Sequence, residues 1–250
     1  MQITKRLSPE GHFGERKGAD APSLLILHYT ETKDLAEAED YFLGRADHPF
    51  GDKVSAHYMV DVNGAIYQYV EEDRRAHHAG VSYWGGIKDV NSHSIGIEIV
   101  NPGHKYGYQP FPIQQMDSVA KLCKDILARY PAITPDRVVG HSDIAPQRKR
   151  DPGELFDWRN LARRGIGLWP DPEDEDFAKA SACLNSDTRL RQTFAAYGYN
   201  PDEPLPALIT AFQRHFYPEI FRTPERVGVA DTEMAARLCS LVRMKNDLNG

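Results

Sequence analysis

The 250-residue chain predicts an α/β fold, a mixed central β-sheet flanked by helices, with a small C-terminal three-helix domain behind it. Three observations carry this expectation. Short apolar runs alternate with helical patterns over the first two thirds of the chain. The segment Gly165–Phe177 (GIGLWPDPEDEDF) is rich in Gly, Pro and acid, which reads as a linker or domain edge, and no strand pattern follows it. Apolar residues are 41% and charged residues 26%, a soluble globular balance in a chain long enough to build a core without staples. The expected division is a catalytic-type domain over residues 1–170 and a helical module over 171–250.

Each element has a local cause. Ser23–His28 (SLLILH) is a continuous apolar run after Pro22 and reads as a buried strand. In Asp34–Gly44, Leu35, Ala38, Phe42 and Leu43 share a helical face, Asp34 can cap the start and Gly44 the end. His57–Asp61 and Ala65–Val70 flank Val62-Asn63-Gly64, and Asn-Gly between alternating runs signals a hairpin. Ser94–Val100 alternates, with Ile95, Ile97 and Ile99 on one face and Gly96, Glu98 and Val100 on the other. Ile113–Tyr130 repeats apolar groups at helical spacing and stops before Pro131. Val138–Gly140 is a short strand that runs directly into His141. Ser186–Tyr197, Leu205–Phe216 and Asp231–Val242 are the three expected tail helices.

Acidic residues exceed basic ones by 36 − 30 = 6, which weighs against a nucleic-acid or polybasic membrane-surface protein. No segment approaches a membrane span. Cys123, Cys183 and Cys239 form no C-x-x-C pair, and Cys123 and Cys239 fall on apolar helix positions, so buried thiols are expected. The first twenty residues have no apolar core region of a signal peptide. A cytoplasmic location is the expectation, with the periplasm as the alternative if an export leader has been removed. Oligomeric state is not legible.

Nine of the ten histidines precede residue 142. His28 and His141 each end a strand, and Asp151 follows His141 after ten residues. Strand ends at one sheet edge are where open α/β folds gather ligands. Two histidines and a carboxylate make a catalytic-type zinc set with a fourth position open, although His28 alone also reads as a satisfied core histidine. Glu98 sits mid-strand in Ile-Gly-Ile-Glu-Ile, where glutamate is disfavoured. Either that face is solvated or the strand delivers the carboxylate to a cleft, with Gly96 leaving space above the sheet for substrate.

His28-Tyr29-Thr30, Ser55-Ala56-His57-Tyr58, His78-Ala79-Gly80, Asn91–Ile99 (NSHSIGIEI) and Gly140–Trp158 (GHSDIAPQRKRDPGELFDW) occur in that order. Together they resemble the zinc-dependent N-acetylmuramoyl-L-alanine amidases of the amidase-2 type, the AmpD/AmiD group, over roughly residues 20–165. The tail, with Tyr197-Gly198-Tyr199 and Ala211–Phe216 (AFQRHF), resembles the peptidoglycan-binding module often fused behind such enzymes. The resemblance implies one Zn2+ held by His28, His141 and Asp151, and catalytic roles for Glu98 and Lys149. It implies cleavage of the amide between N-acetylmuramic acid, or its 1,6-anhydro form, and L-alanine in muropeptides or peptidoglycan. Zinc would acidify a bound water toward about 7, Glu98 would act as general base and then general acid, and Lys149 would help zinc stabilise the oxyanion. Lys149 otherwise reads as one solvated charge among several.

His57, His78 and Trp84 are candidates for the substrate groove. The two histidines could equally orient metal ligands or sit at turns, and Trp84 could simply cover the core. His48, His77, His93 and His104 read as incidental. Some family members carry Gly where Gln147 stands, a change in loop shape that removes no catalytic group. The competing class is a peptidoglycan-recognition protein that binds without cutting. That reading expects loss of Asp151 or a ligand histidine, and all three are present.

Overall fold

The computed structural model describes residues 1–48 and 53–249. Eight strands are formed by Ile3–Lys5 (β1), Phe13–Glu15 (β2), Leu24–Tyr29 (β3), Tyr58–Val60 (β4), Ile66–Gln68 (β5), Arg74–Ala76 (β6), Ser94–Ile99 (β7) and Val138–Gly140 (β8). The helices are Leu35–Phe42 (α1), Val90–His93 (α2), Gly103–Tyr106 (α3), Ile113–Arg129 (α4), His141–Ile144 (α5), Trp158–Arg163 (α6), Asp174–Leu184 (α7), Asp187–Tyr197 (α8), Leu205–Phe216 (α9) and Thr232–Asn249 (α10). The main sheet has the order β1-β5-β4-β7-β3-β8. β4, β7, β3 and β8 run parallel, β5 is antiparallel to β4, and β1 lies parallel to β5. β2 and β6 form a separate antiparallel pair.

The expected elements form for the expected reasons. Asp34 caps α1, its carboxylate accepting from the Glu37 N–H at 3.0 Å. The β4–β5 hairpin turns through Asn63-Gly64, where Gly64 has φ +83°, a conformation open to glycine at no steric cost. In β3, Leu24 and Ile26 point to one face of the sheet and Leu25 and Leu27 to the other. The second face packs on α4 and α6 through Val119, Cys123, Ile126 and Leu161. Each such buried aliphatic side chain contributes about 1.5–3 kcal/mol of transfer free energy.

The first face packs on the tail. Leu24, Ile26, Trp84, Val139 and Ile144 belong to one buried cluster with Phe194, Tyr199, Phe212, Phe216, Met234 and Leu238. Sheet and tail helices therefore share an interior. The tail also holds a fourth helix, α7, where the sequence suggested a linker running to Phe177. Its pattern is faint because it buries little apolar surface. It is fixed by a capping box at Glu173/Asp176 and by the buried Asp176, whose Oδ2 lies 2.9 Å from Arg243 Nη2. Cys123 and Cys239 are buried, as expected. No helix among the described residues is long and apolar enough to cross a membrane.

Candidate metal centre and active-site cleft

The parallel strands deliver the site. His28 and Glu98 are register partners on β3 and β7, each one residue from its strand's C-terminal end. His141 is the first residue after β8, which pairs with β3 on the other side. Asp151 follows the α5 turn, its carbonyl accepting from the Ser142 N–H at 2.9 Å. The Asp151–Pro152 peptide is cis. His28, His141 and Asp151 are all buried and present one donor atom each to a common point. His28 Nδ1 lies 2.9 Å and His141 Nδ1 3.0 Å from Asp151 Oδ2, and the two nitrogens are 3.0 Å apart.

The hydrogen bonds behind these rings decide their tautomers. The Ser94 hydroxyl donates to the Val90 carbonyl at 2.7 Å, so its oxygen accepts from His78 Nε2–H at 3.1 Å. His78 Nδ1 is then the acceptor and His28 Nε2–H the donor, 2.9 Å apart. On the other ring, His141 Nε2–H donates to the Ala79 carbonyl at 3.0 Å. Both Nδ1 atoms therefore carry bare lone pairs, facing each other and a carboxylate oxygen with no hydrogen between them. Three acceptors at about 3 Å repel unless a cation lies among them. Donors each about 2.1 Å from a tetrahedral ion lie about 3.4 Å apart, close to the separations seen. The residues present fit a metal ion.

Electrostatics agree. Burial, reinforced by the neighbouring His141, pushes His28 down to about 4, so it is neutral and ligand-competent at neutral pH. Burial also holds His78 well below the usual histidine range. Burial alone would raise Asp151, but proximity and hydrogen bonding to His141 and His28 override it and keep the carboxyl well below its usual range. Glu98 goes the other way, driven up first by burial and then by the Asp151 charge, with Lys149 opposing. Its Oε2 is buried without a hydrogen-bond partner.

These groups open into a cavity of about 560 Å³, whose lining includes His78, Glu98, His141, Lys149 and Asp151. Tyr29 and His104 form part of its wall, and its charged lining is mixed, with Lys105, Arg148 and Arg150 as well as Glu31 and Glu37. His104, which the sequence left as incidental, is held in place. Its Nδ1 accepts from the Tyr29 hydroxyl at 2.8 Å, and its Nε2 meets Glu154 at 3.1 Å.

The three proposed groove residues separate. His78 lines the cavity and orients His28. Its ring occupies the space over Gly96, where an added Cβ would come within 2.6 Å, so that glycine makes room for imidazole and not for substrate. His57 is fully buried and does not line the cavity; its Nδ1 accepts from the Gly96 N–H at 3.0 Å and its Nε2–H donates to the Arg74 carbonyl at 3.1 Å. Trp84 is 2% exposed, donates from Nε1 to the Asp136 carbonyl and packs on Tyr197 and Tyr199. It covers the core between sheet and tail, because a loop crossing that face must bury its largest ring there.

Burial and the Arg16 guanidinium push His57 down to about 3. The unfolded chain therefore takes up this proton first, and folded stability falls as pH drops from about 6.5 toward 3. The cost is about 1.4 kcal/mol for each pH unit inside that window. Urea midpoints of metal-free protein between pH 7 and 5 should decline, and His57→Asn should flatten that slope by up to one proton. An unchanged slope would contradict the assignment.

Sequence reasoning missed the residues that hold the ligands. Asn91 Oδ1 accepts from the His78 and Ala79 N–H groups at 3.0 and 2.8 Å, fixing the loop that meets both ligand rings. Ser94 sets the tautomer of His78 and, through it, that of His28. Asn91 and Ser94 both lie in the Asn91–Ile99 string, but their partners are distant in sequence.

The family described as N-acetylmuramoyl-L-alanine amidase, Amidase_2, matches residues 18–154, more than half of the chain. The chain belongs to this family. The amidase is 41% identical over 235 residues to N-acetylmuramoyl-L-alanine amidase AmiD of Escherichia coli K12, covering 85% of this chain and 79% of that protein. Its structure superposes on AmpDh3 from Pseudomonas aeruginosa with TM-score 0.77 and 33% identity, covering 95% of this chain and 96% of the other. It superposes on AmiD from E. coli, solved with anhydro-N-acetylmuramic acid-L-Ala-D-gamma-Glu-L-Lys, with TM-score 0.73 and 34% identity, covering 94% and 98%. Both superpositions include the helical tail.

Proposed function

We propose that this N-acetylmuramoyl-L-alanine amidase holds one zinc ion on His28, His141 and Asp151 and cleaves the amide between anhydro-N-acetylmuramic acid and L-alanine in muropeptides. The observation that carries the metal assignment is the pair of bare Nδ1 lone pairs converging on Asp151 Oδ2. Neutral imidazole with one carboxylate suits zinc better than magnesium or calcium. The substrate assignment is supported by the complex of the E. coli relative.

Zinc held there would supply Lewis-acid polarisation and acidification of water. The other tasks fall to the chain. Glu98, beside His28 in the register, takes a proton from the attacking water and passes one to the leaving alanine nitrogen. Its upward shift favours the second role, since the carboxyl must hold the proton between the two steps. The Lys149 ammonium, on the cavity wall, would stabilise the charge that develops on the amide oxygen. Lys105 and Arg150, also in the lining, would be available to pair with peptide carboxylates.

The test is metal content together with turnover. Purified protein should contain one zinc per chain and release an L-alanine-initiated peptide from an anhydro-muropeptide. Chelation should abolish release and zinc should restore it. Zinc-loaded protein that releases no such peptide would refute the substrate assignment. Turnover on soluble anhydro-muropeptide against intact sacculi would then rank the two substrate forms.

A further inference from the structure

Among the buried or half-buried side chains of Gly140–Trp158 that neither belong to the metal-site trio nor line the cavity are Asp143, Glu154 and Trp158. Two consecutive residues of α9 touch all three. His215 Nδ1 donates to Asp143 Oδ2 at 2.7 Å, and its ring stacks on Trp158 at 3.8 Å between centroids. Arg214 Nε lies 3.4 Å from Glu154 Oε2. Tyr199, from the loop after α8, donates to the other Asp143 oxygen at 2.7 Å.

Asp143 is completely buried and carries this bonding on to the ligand segment. Its Oδ2 also accepts from the Gly140 N–H at 2.7 Å, the residue immediately before His141. Glu154 stands three residues after Asp151 and also holds His104. The tail thus grips the ligand-bearing loop on both sides, just beyond His141 and just beyond Asp151.

We propose that Arg214, His215 and Tyr199 form a clamp that sets the separation of His141 and Asp151, making the helical tail a positioning part of the metal centre. A fully buried aspartate side chain held by two donors from the tail is a costly arrangement to keep for packing alone, since an apolar contact would fill that space without polar atoms to satisfy. The proposal rests on the metal-centre reading above.

The test measures zinc affinity of the full-length, metal-stripped chain by competition with a chromophoric chelator. His215→Phe retains the stack on Trp158 and loses the bond to Asp143. It should weaken zinc binding about tenfold or more, within the range found when a group supporting a metal ligand is removed. Tyr199→Phe, a milder change, should weaken it less but measurably, and covers the case in which His215→Phe does not fold. His215→Asn, which can place an amide N–H near the Nδ1 position, should recover most of the loss. The visible spectrum of the cobalt(II)-loaded protein should shift in His215→Phe and return in His215→Asn.

Leu190→Ala opens a hole in the same core away from the clamp. It should lower the melting temperature and leave zinc affinity unchanged. The clamp is overturned if His215→Phe and Tyr199→Phe bind zinc as wild type does, or if Leu190→Ala weakens binding as much as they do. Wild-type protein that binds no zinc would overturn the metal-centre reading, and the clamp with it.

Discussion

Glu98→Gln should keep one zinc per chain and lose about 10²–10⁴-fold in kcat, the range a positioned general acid–base contributes. The expectation follows from where the carboxylate stands. It is the register partner of His28, it lines the cavity, and one of its oxygens is buried with no protein hydrogen-bond partner. It belongs to none of the bonds that orient the ligands, so its loss should leave the metal in place. Glutamine preserves shape and hydrogen-bonding capacity but can neither accept a proton from water nor return one to the leaving nitrogen. KM should change little, which separates a lost proton transfer from lost binding. Steady-state kinetics on an anhydro-muropeptide with metal analysis of the same sample decide it. Near-wild-type kcat would remove Glu98 from the mechanism.

Asp151→Ala should show the opposite pattern, losing metal first and activity as a consequence. The carboxylate is the one formal negative charge among the three converging donors, and its Oδ2 touches both ligand nitrogens. Removing it leaves two lone pairs 3.0 Å apart with no anion to favour a cation between them. Zinc affinity should fall by more than the about 10–100-fold typical for loss of a supporting group. Turnover should drop to background at micromolar zinc and recover only partly at higher concentration. Retention of stoichiometric zinc after dialysis against a weak chelator would place the metal elsewhere.

Much of this centre is legible in the sequence because its chemistry sits at strand ends. The apolar run before His28, the alternation around Glu98 and the strand entering His141 place three functional groups at one sheet edge. Local periodicity gives the strand positions, while the roles of these residues come from the family resemblance. The supporting contacts are invisible to the same reasoning. Ser94 acts on His28 through His78, and Asn91 acts through a loop that precedes it, so no spacing rule links them. Gly96 was legible as a space, but only the fold shows that imidazole fills it. Trp84 and His57 were ambiguous because an aromatic or imidazole ring in a Gly-rich or turn segment can face either water or core. β1 and β6 carry no apolar alternation, being short and half-exposed with Lys and Arg at several positions. α7 is similarly masked by its acidic surface.

The interior shared by sheet and tail bears on how the molecule opens. Leu24 and Ile26 of the strand that carries His28 lie in one cluster with Phe194, Phe212 and Leu238. Detaching the tail helices would uncover the underside of that strand, so local melting at the C-terminal end is tied to melting beneath His28. Fluctuations that would free the tail to act as an independent tether come at the expense of the catalytic scaffold. The composition shift near residue 170 marks where the tail helices begin, and those helices share one interior with the sheet.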